Sequence, residues 1–338
     1  EFDIVTLDRV RKISIQADTD VWLEYAGEKG IHGAILSYLS LKKENFYMVE
    51  NTVDGKFFVT ARGWEDLSEI LKSYEGLQVE IGEELIGEFL QKEEIARDFA
   101  GYSRLYEKYK SDYQIQEILD GNVTTRQLKT CCDMGKKASF EERFTVTEML
   151  LEAVTERISV FQKTDKKTEK LYENLKLLKI FLQEKNSVEA MEQFVISRRK
   201  ALDAKICSEL LTAEEAAREE EQIRILEEYF FQLKELHISD VAEGIEQIGE
   251  RFGNVCRLRN EKLEETKKML EQAFSFLEEC FGEGQELLLF ETGLTGDDRC
   301  SIFISQYGCP SYFKHCELLL YSKKENEMRK ECRDLLEE

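Results

Sequence analysis

Beyond about residue 80, apolar residues recur at intervals of three and four positions, which is the spacing of one helix face. Two of these stripes follow one another between residues 241 and 281, and their spacing leaves open whether they form one long helix or two. The stripes consist of Ile95, Phe99, Tyr102, Tyr106 and Tyr109; of Val241, Ile245, Ile248, Phe252 and Val255; and of Leu263, Leu270, Phe274, Leu277 and Phe281. Such stripes indicate packing seams between helices rather than a cofactor site.

The first third of the chain has a mixed pattern. Residues Arg9–Gln16 alternate polar with apolar and predict a strand. Asp18 is expected to cap a helix that ends at Gly27 and Gly30, and a second helix is expected over Ile31–Leu39. The strand and both helices lie before the long helical region that begins at about residue 80.

A hairpin and a further helix are predicted next. Asp54 and Gly55 lie between two β-rich runs within Phe46–Val59, which is a hairpin signal. The residues from about Trp64 to Tyr74 then carry apolar side chains at helical spacing.

Later helices are indicated by capping and by context. Thr212 and Glu215 form a capping-box pattern that opens a helix through Leu236. In the last segment, about 286–338, three apolar runs have strand-like composition, but we favour helices because the preceding context is helical. The predicted fold is therefore mainly α, with one short hairpin and a long bundle or coiled-coil-like region.

Composition supports this fold and excludes some partners. The single proline, Pro310, fits long uninterrupted helices, since proline breaks helix interiors. No run approaches 18 uncharged apolar residues, so no membrane partner is expected. A formal net charge of −22 disfavours nucleic-acid binding. The acidity leaves a basic protein partner open, although solubility is the simpler interpretation.

The cysteines indicate thiols rather than a disulfide framework. There are nine, an odd number, and no signal peptide is evident, so reduced thiols and a cytoplasmic location are expected. The neighbours Cys131 and Cys132 are interpreted as a buried or bystander pair rather than a redox switch. A last set of four residues has side chains of the types that bind zinc. It lacks a Cys-x-x-Cys knuckle, so no metal site is expected there. That set is Cys300, Cys309, His315 and Cys316.

Several catalytic motifs are missing from the sequence. No Gly-x-x-x-x-Gly-Lys-Ser/Thr motif is present to cradle phosphates, and no apolar run ends in Asp-Glu to hold Mg²⁺ and activate water. The histidines His32, His237 and His315 are scattered and suggest no catalytic triad. We therefore expect no catalytic residue and no ATP hydrolysis from this chain alone.

One stretch carries a family resemblance. Phe57–Ser68 resembles the sensor-2 segment of MoxR-like AAA+ ATPases, where an arginine opens a lid helix and a tryptophan follows. Asp20–Ala26 and Ile35–Leu39 are similar to the first helices of that lid. The resemblance covers roughly residues 1–78. It implies that 1–16 end the large AAA+ subdomain, 17–78 form the lid, 79–285 a helical extension and 286–338 a C-terminal helical end.

The resemblance also implies roles for particular residues. Arg62 would be sensor 2 and would contact the ATP γ-phosphate in the intact protein, because a guanidinium offers several donors in a fixed fork. Trp64 and Trp22 would support the sensor structurally. Ala61 stands where the family usually has proline, which removes a local rigidity before Arg62 but leaves its charge. The plain alternative is a surface arginine beside a core tryptophan.

The resemblance further implies a chaperone-like motor that remodels or matures protein complexes. Its cofactors would be ATP and Mg²⁺, and its partners its own upstream large subdomain, further copies in a hexamer and a von Willebrand factor A-domain protein. The alternative is a non-enzymatic, acidic helical scaffold or adaptor that binds a protein partner. Sequence upstream of Glu1 discriminates between the two, because a P-loop there would support the ATPase.

Overall fold

A computed structural model describes residues 16–52, 55–77, 79, 81–185 and 188–319 of the chain. It is mainly helical with a two-stranded antiparallel hairpin, which confirms the predicted fold class. The helices are α1 (Thr19–Lys29), α2 (Gly33–Leu41), α3 (Ala61–Leu77), α4 (Glu83–Phe89), α5 (Glu93–Tyr113), α6 (Ile115–Asp120), α7 (Thr125–Gly135), α8 (Phe140–Lys185), α9 (Ala190–Cys207), α10 (Ala213–Glu235), α11 (Val241–Phe281), α12 (Gln285–Gly296), α13 (Asp298–Tyr307) and α14 (Pro310–Leu319). A 3₁₀ turn, Lys43–Asn45, leads into the strands β1 (Met48–Thr52) and β2 (Gly55–Val59).

The first helix begins and ends at predicted residues. The side chain of Asp18 accepts hydrogen bonds from the backbone N–H groups of Asp20 and Val21, which caps the N-terminus of α1. Gly30 ends the helix with a φ of 67°, a left-handed conformation that costs glycine little. Gly27 lies inside α1 and does not end it. The strand predicted at Arg9–Gln16 lies, apart from Gln16, outside the described residues.

The hairpin has the predicted position. Met48 pairs with Val59 and Thr52 with Gly55, so Gly55 opens β2, whereas Asp54, the other residue of the predicted turn, lies outside the described residues. Both Met48 and Val59 are on the same sheet face, and Val59 is fully buried. The hairpin thus connects two buried positions, Phe46 before β1 and Val59 before the start of α3.

The structure shows whether the stripes between residues 241 and 281 form one helix or two. The two stripes between residues 241 and 281 belong to one helix of 41 residues, α11. The helix α8 is longer still, with 46 residues. Thr212 and Glu215 form the predicted capping box at the start of α10, with reciprocal side chain to backbone hydrogen bonds.

The last segment is helical where the structure describes it. The apolar runs that begin at Leu287 and Ile302 lie in α12 and α13, so the preference for helices over strands is confirmed for both. Pro310 is the first residue of α14, a position where its missing N–H costs nothing. The third run, from Leu318, extends beyond the described residues after Leu319.

The chain divides into two compact units. Unit 1 comprises Glu1–Ala153 and Ala273–Gly293, and unit 2 comprises Val154–Gln272 and Leu294–Glu338. The four segments inferred from the family resemblance stay a prediction. Every helix in the described part of the chain is too short or too polar to span a lipid bilayer.

Each unit has its own apolar core. In unit 1, aromatic and aliphatic side chains of α2, α3 and α5 are buried together, and Tyr38, Trp64 and Phe99 are fully buried. In unit 2, the C-terminal half of α8 packs with α9, α10 and the start of α11. The buried members of that second cluster include Leu178, Leu182, Met191, Leu226 and Leu233.

One prediction about the cysteines is wrong. Cys132 on α7 and Cys280 on α11 are joined as a disulfide, although we expected reduced thiols and interpreted Cys131 and Cys132 as a buried or bystander pair. The odd number of cysteines and their local spacing could not reveal this disulfide, since 148 residues separate its two cysteines. Cys131 is a buried free thiol, as expected.

Candidate functional site

Arg62 lies at the beginning of α3, directly after the hairpin. Its side chain is 89% exposed, and its Nε lies 3.6 Å from Oδ2 of Asp66, one turn further along the helix. An exposed pair at this distance contributes little to stability. The guanidinium is therefore available to another partner at small cost.

The backbone around Arg62 is fixed from one side by Trp64. The indole of Trp64 is fully buried, and its Nε1 donates a hydrogen bond of 3.1 Å to the carbonyl oxygen of Phe46. Its ring meets Phe99 edge-on, with 5.3 Å between the ring centroids. These contacts join the first turn of α3 to the segment before β1 and to α5.

Trp22, the second predicted support, reaches the same region from α1. The centroid of its ring lies 5.0 Å from that of Phe46. Trp22 therefore contacts the side chain of Phe46, and Trp64 bonds to its backbone carbonyl. The side chain is 7% exposed, and its Nε1 has no hydrogen-bond partner within the described part of the chain. Among the described residues, the indole of Trp22 thus contributes packing to this region.

Gly63 is a residue of this site that the sequence did not bring to attention. A Cβ at this position would lie 2.7 Å from the carbonyl oxygen of Phe89, at the end of α4. Close by, the N–H of Gln91 donates to the carbonyl oxygen of Phe58 on β2, at 3.1 Å. Glycine between Arg62 and Trp64 therefore allows close approach of α4 and fixes the start of α3 from a second side.

The start of α3 presents the positively charged guanidinium of Arg62 on a backbone that its neighbours hold in place. Thr60 caps α3, since its Oγ1 accepts from the N–H of Gly63 at 3.4 Å and its carbonyl oxygen accepts from the N–H of Trp64 at 3.2 Å. The positive end of the helix dipole and the guanidinium of Arg62 are next to one another. Together they suit an anionic ligand such as a phosphate group.

A second cluster in unit 1 surrounds His32, which caps the N-terminus of α2. Its Nδ1 accepts a hydrogen bond of 3.1 Å from the N–H of Ala34, so the ring proton belongs on Nε2. That nitrogen lies 3.4 Å from Oε2 of Glu75, whose other oxygen is paired with Lys110. Burial lowers the pKa of His32 and outweighs the opposing charge of Glu75.

More ionisable groups lie deeper in the same cluster. The hydroxyl of Tyr106 donates to Oε2 of Glu152 at 3.1 Å, and a Cβ on Gly33 would overlap both groups. Burial, and then the charge of Glu152, raise the pKa of Glu148 to about 7. Glu148 therefore gains and loses its proton near neutral pH.

The cluster has the ligand types of a metal site but not the hydrogen bonding of one. His32, Glu75 and Glu107 bring one potential ligand atom each within 4.8 Å of one another. A metal on Nε2 would require the proton on Nδ1, where the N–H of Ala34 already donates. The positive charge of Lys110 beside Glu75 also opposes a cation. The group is better described as a hydrogen-bonded acid–base cluster.

The cysteines of unit 2 that were considered as zinc ligands have other neighbours. The Sγ of Cys300 lies 3.4 Å from Oγ1 of Thr155, and the Sγ of Cys309 lies 3.3 Å from Oε1 of Glu271. Both cysteines are buried, and burial raises the pKa of each thiol to about 12. Each of them is therefore a protonated thiol at neutral pH.

Comparisons of the chain with protein families, with curated proteins and with solved structures give no match. The candidate site thus depends on its own geometry and on the resemblance of Phe57–Ser68.

Proposed function

We propose that this chain contains the lid and interaction region of a MoxR-like AAA+ ATPase. In this proposal, Arg62 contacts the γ-phosphate of ATP that is bound by a large subdomain outside this sequence. The lid would then couple ATP binding and hydrolysis to chaperone-like remodelling or maturation of protein complexes. The observation that carries the proposal is the guanidinium of Arg62, which is 89% exposed on a helix start that is fixed on two sides.

A sensor role for Arg62 requires a rigid connection between its guanidinium and the rest of the lid. A sensor must transmit the gain or loss of a phosphate charge to a larger body, and a rigid connection transmits it best. Trp64, buried against Phe99, and Gly63, in close approach to Phe89, supply that connection. A force on the guanidinium of Arg62 would therefore act on α3 and the elements packed against it.

The proposed cofactors and partners follow from the same resemblance. ATP and Mg²⁺ would be bound chiefly by the large subdomain, because this chain has no P-loop and no Walker B carboxylates. Arg62 is the one residue of this chain assigned to the nucleotide. The remaining helices would shape a hexamer, bind a client or bind a von Willebrand factor A-domain protein that works with the ATPase.

ATP turnover by the full-length gene product tests the proposal. Arg62→Ala is expected to lower turnover about 10- to 100-fold, the effect of losing one or two charge-assisted hydrogen bonds. Arg257→Ala is the matched control, since Arg257 is also exposed and paired with an acid one turn away, Glu261. Equal turnover in the two variants would remove Arg62 from the mechanism.

A second candidate function is a non-enzymatic, acidic scaffold or adaptor for a basic protein partner. It is favoured by the net charge of −22, with 69 acidic against 47 basic residues. The same full-length product distinguishes the two functions. A gene product without a P-loop and without ATP turnover would support the scaffold and contradict the ATPase.

A further inference from the structure

Unit 1 is assembled from two distant stretches of the chain. The long stretch ends at Ala153, and the short one, Ala273–Gly293, contains the end of α11 and most of α12. Unit 1 is complete only when the short stretch is held on the long one. The structure places one covalent bond between them, the disulfide of Cys132 and Cys280.

The two stretches also pack closely around this disulfide. A Cβ on Gly135, the last residue of α7, would lie 2.7 Å from the ring of Phe281. Tyr113 and Phe276 meet edge-on, with 6.5 Å between their centroids. Cys280 is only 1% exposed. A reductant therefore reaches the bond only when α7 and the end of α11 separate locally.

The neighbouring thiol does not compete for the bond. Cys131 is buried, and its Sγ lies 3.9 Å from the carbonyl oxygens of Asp112 and Tyr113. Burial raises the pKa of this thiol, so little thiolate is available for attack on a disulfide. Exchange between Cys131 and the bonded pair is thereby suppressed.

We propose that Cys132 and Cys280 form a redox-controlled staple that holds Ala273–Gly293 on the rest of unit 1. The bond closes a loop of 148 residues, and closing a long loop removes much conformational freedom from the opened chain. In the reduced protein the same segment is held without a covalent bond, by packing and by the ion pair of Arg143 Nε with Glu286 Oε1 at 3.1 Å. The redox state thus sets how often the segment opens.

The oxidant belongs to the class of small-molecule disulfides, such as glutathione disulfide. One cysteine thiolate attacks it, which forms a mixed disulfide and releases one small thiol. The second cysteine thiolate then attacks the mixed disulfide, and the second small thiol leaves. Two cysteine sulfurs are oxidised, one small disulfide is reduced to two thiols, and the two cysteine protons end on those thiols. An excess of small thiol reverses both steps.

The test uses the full chain, equilibrated either with glutathione disulfide or with dithiothreitol. Peptide mapping without reduction should find the Cys132–Cys280 cross-link in the oxidised sample. Hydrogen exchange of amides in residues 273–281 should be roughly 30- to 1,000-fold faster in the reduced sample. An oxidised sample without this cross-link, or equal exchange in both samples, would overturn the proposal.

Variants separate this pair from the other thiols. Cys280→Ser should show fast exchange in both buffers, whereas Cys207→Ser, at an exposed free thiol, should behave like the wild type. A Cys207→Ser variant that loses the redox difference would also contradict the proposal. The wild-type comparison contains no substitution, so it holds even if Cys280→Ser does not fold.

Discussion

Two residues that are two positions apart, Arg62 and Trp64, have opposite environments. The guanidinium is 89% exposed, and the indole is fully buried with its Nε1 bonded to the carbonyl oxygen of Phe46. The residue type predicted both environments, because a charged group is costly to bury and a large aromatic one is favoured in a core. The sequence could not predict the hydrogen bond to Phe46.

The two tryptophans differ in what the indole nitrogen contributes. Trp64→Phe removes a buried hydrogen bond and leaves the carbonyl of Phe46 without it, whereas Trp22→Phe removes a nitrogen that has no partner among the described residues. We expect Trp64→Phe to lower the free energy of unfolding by about 1 kcal/mol more than Trp22→Phe does. Urea denaturation of both variants measures this, and equal losses would contradict the assigned bond.

Glu148 should make stability depend on pH. Burial and then Glu152 raise its pKa from 4.5 to about 7, so the folded state holds a proton that the unfolded state has lost between these values. Stability therefore falls as pH rises from about 4.5 to 7, by at most about 3 kcal/mol for this group.

Glu148→Gln removes this pH-dependent cost. The variant should melt at a higher temperature than the wild type at pH 8 and should lose that advantage at pH 4. Glu156→Gln, at an exposed position of the same helix, should change stability by less than about 0.5 kcal/mol at either pH. Calorimetry at the two pH values gives the result, and an advantage of the same size at both would exclude Glu148 as its source.

At the scale of elements, local signals predicted the helix ends and the hairpin, while long-range packing stayed hidden. Asp18, Gly30 and the Thr212 capping box act within a few residues, so the sequence contains the whole cause. His32 and Glu75 meet because α2 packs near α3, and a sequence with 69 acidic residues does not indicate which one a histidine will face.

Two glycines of α3 provide a matched test of its contact with α4. A Cβ on Gly63 would press against the backbone oxygen of Phe89, whereas a Cβ on Gly76 would meet nothing within 4 Å. Alanine favours a helix over glycine, so Gly76→Ala should raise the free energy of unfolding by about 0.5–1 kcal/mol. Gly63→Ala should lower it by about 1–3 kcal/mol through overpacking. Two stabilised variants would show that α4 does not restrain the start of α3.

At the scale of the whole molecule, the sequence predicted a mainly helical chain but not its division. Unit 1 takes its last part from residues 273–293, more than a hundred positions after Ala153. Periodicity describes each helix by itself, and it does not tell which parts of a 41-residue helix belong to which unit. For the same reason the pairing of Cys132 with Cys280 had no signal in the sequence.

The central claim about the whole protein is that Arg62 recognises the γ-phosphate, and nucleotide affinity tests it most directly. The measurement compares binding of a non-hydrolysable ATP analogue and of ADP to the full-length gene product and to its Arg62→Ala variant. The account predicts that the variant binds the ATP analogue about 10- to 100-fold more weakly and binds ADP as the wild type does. Unchanged affinity for the ATP analogue, or an equal loss for both nucleotides, would contradict it.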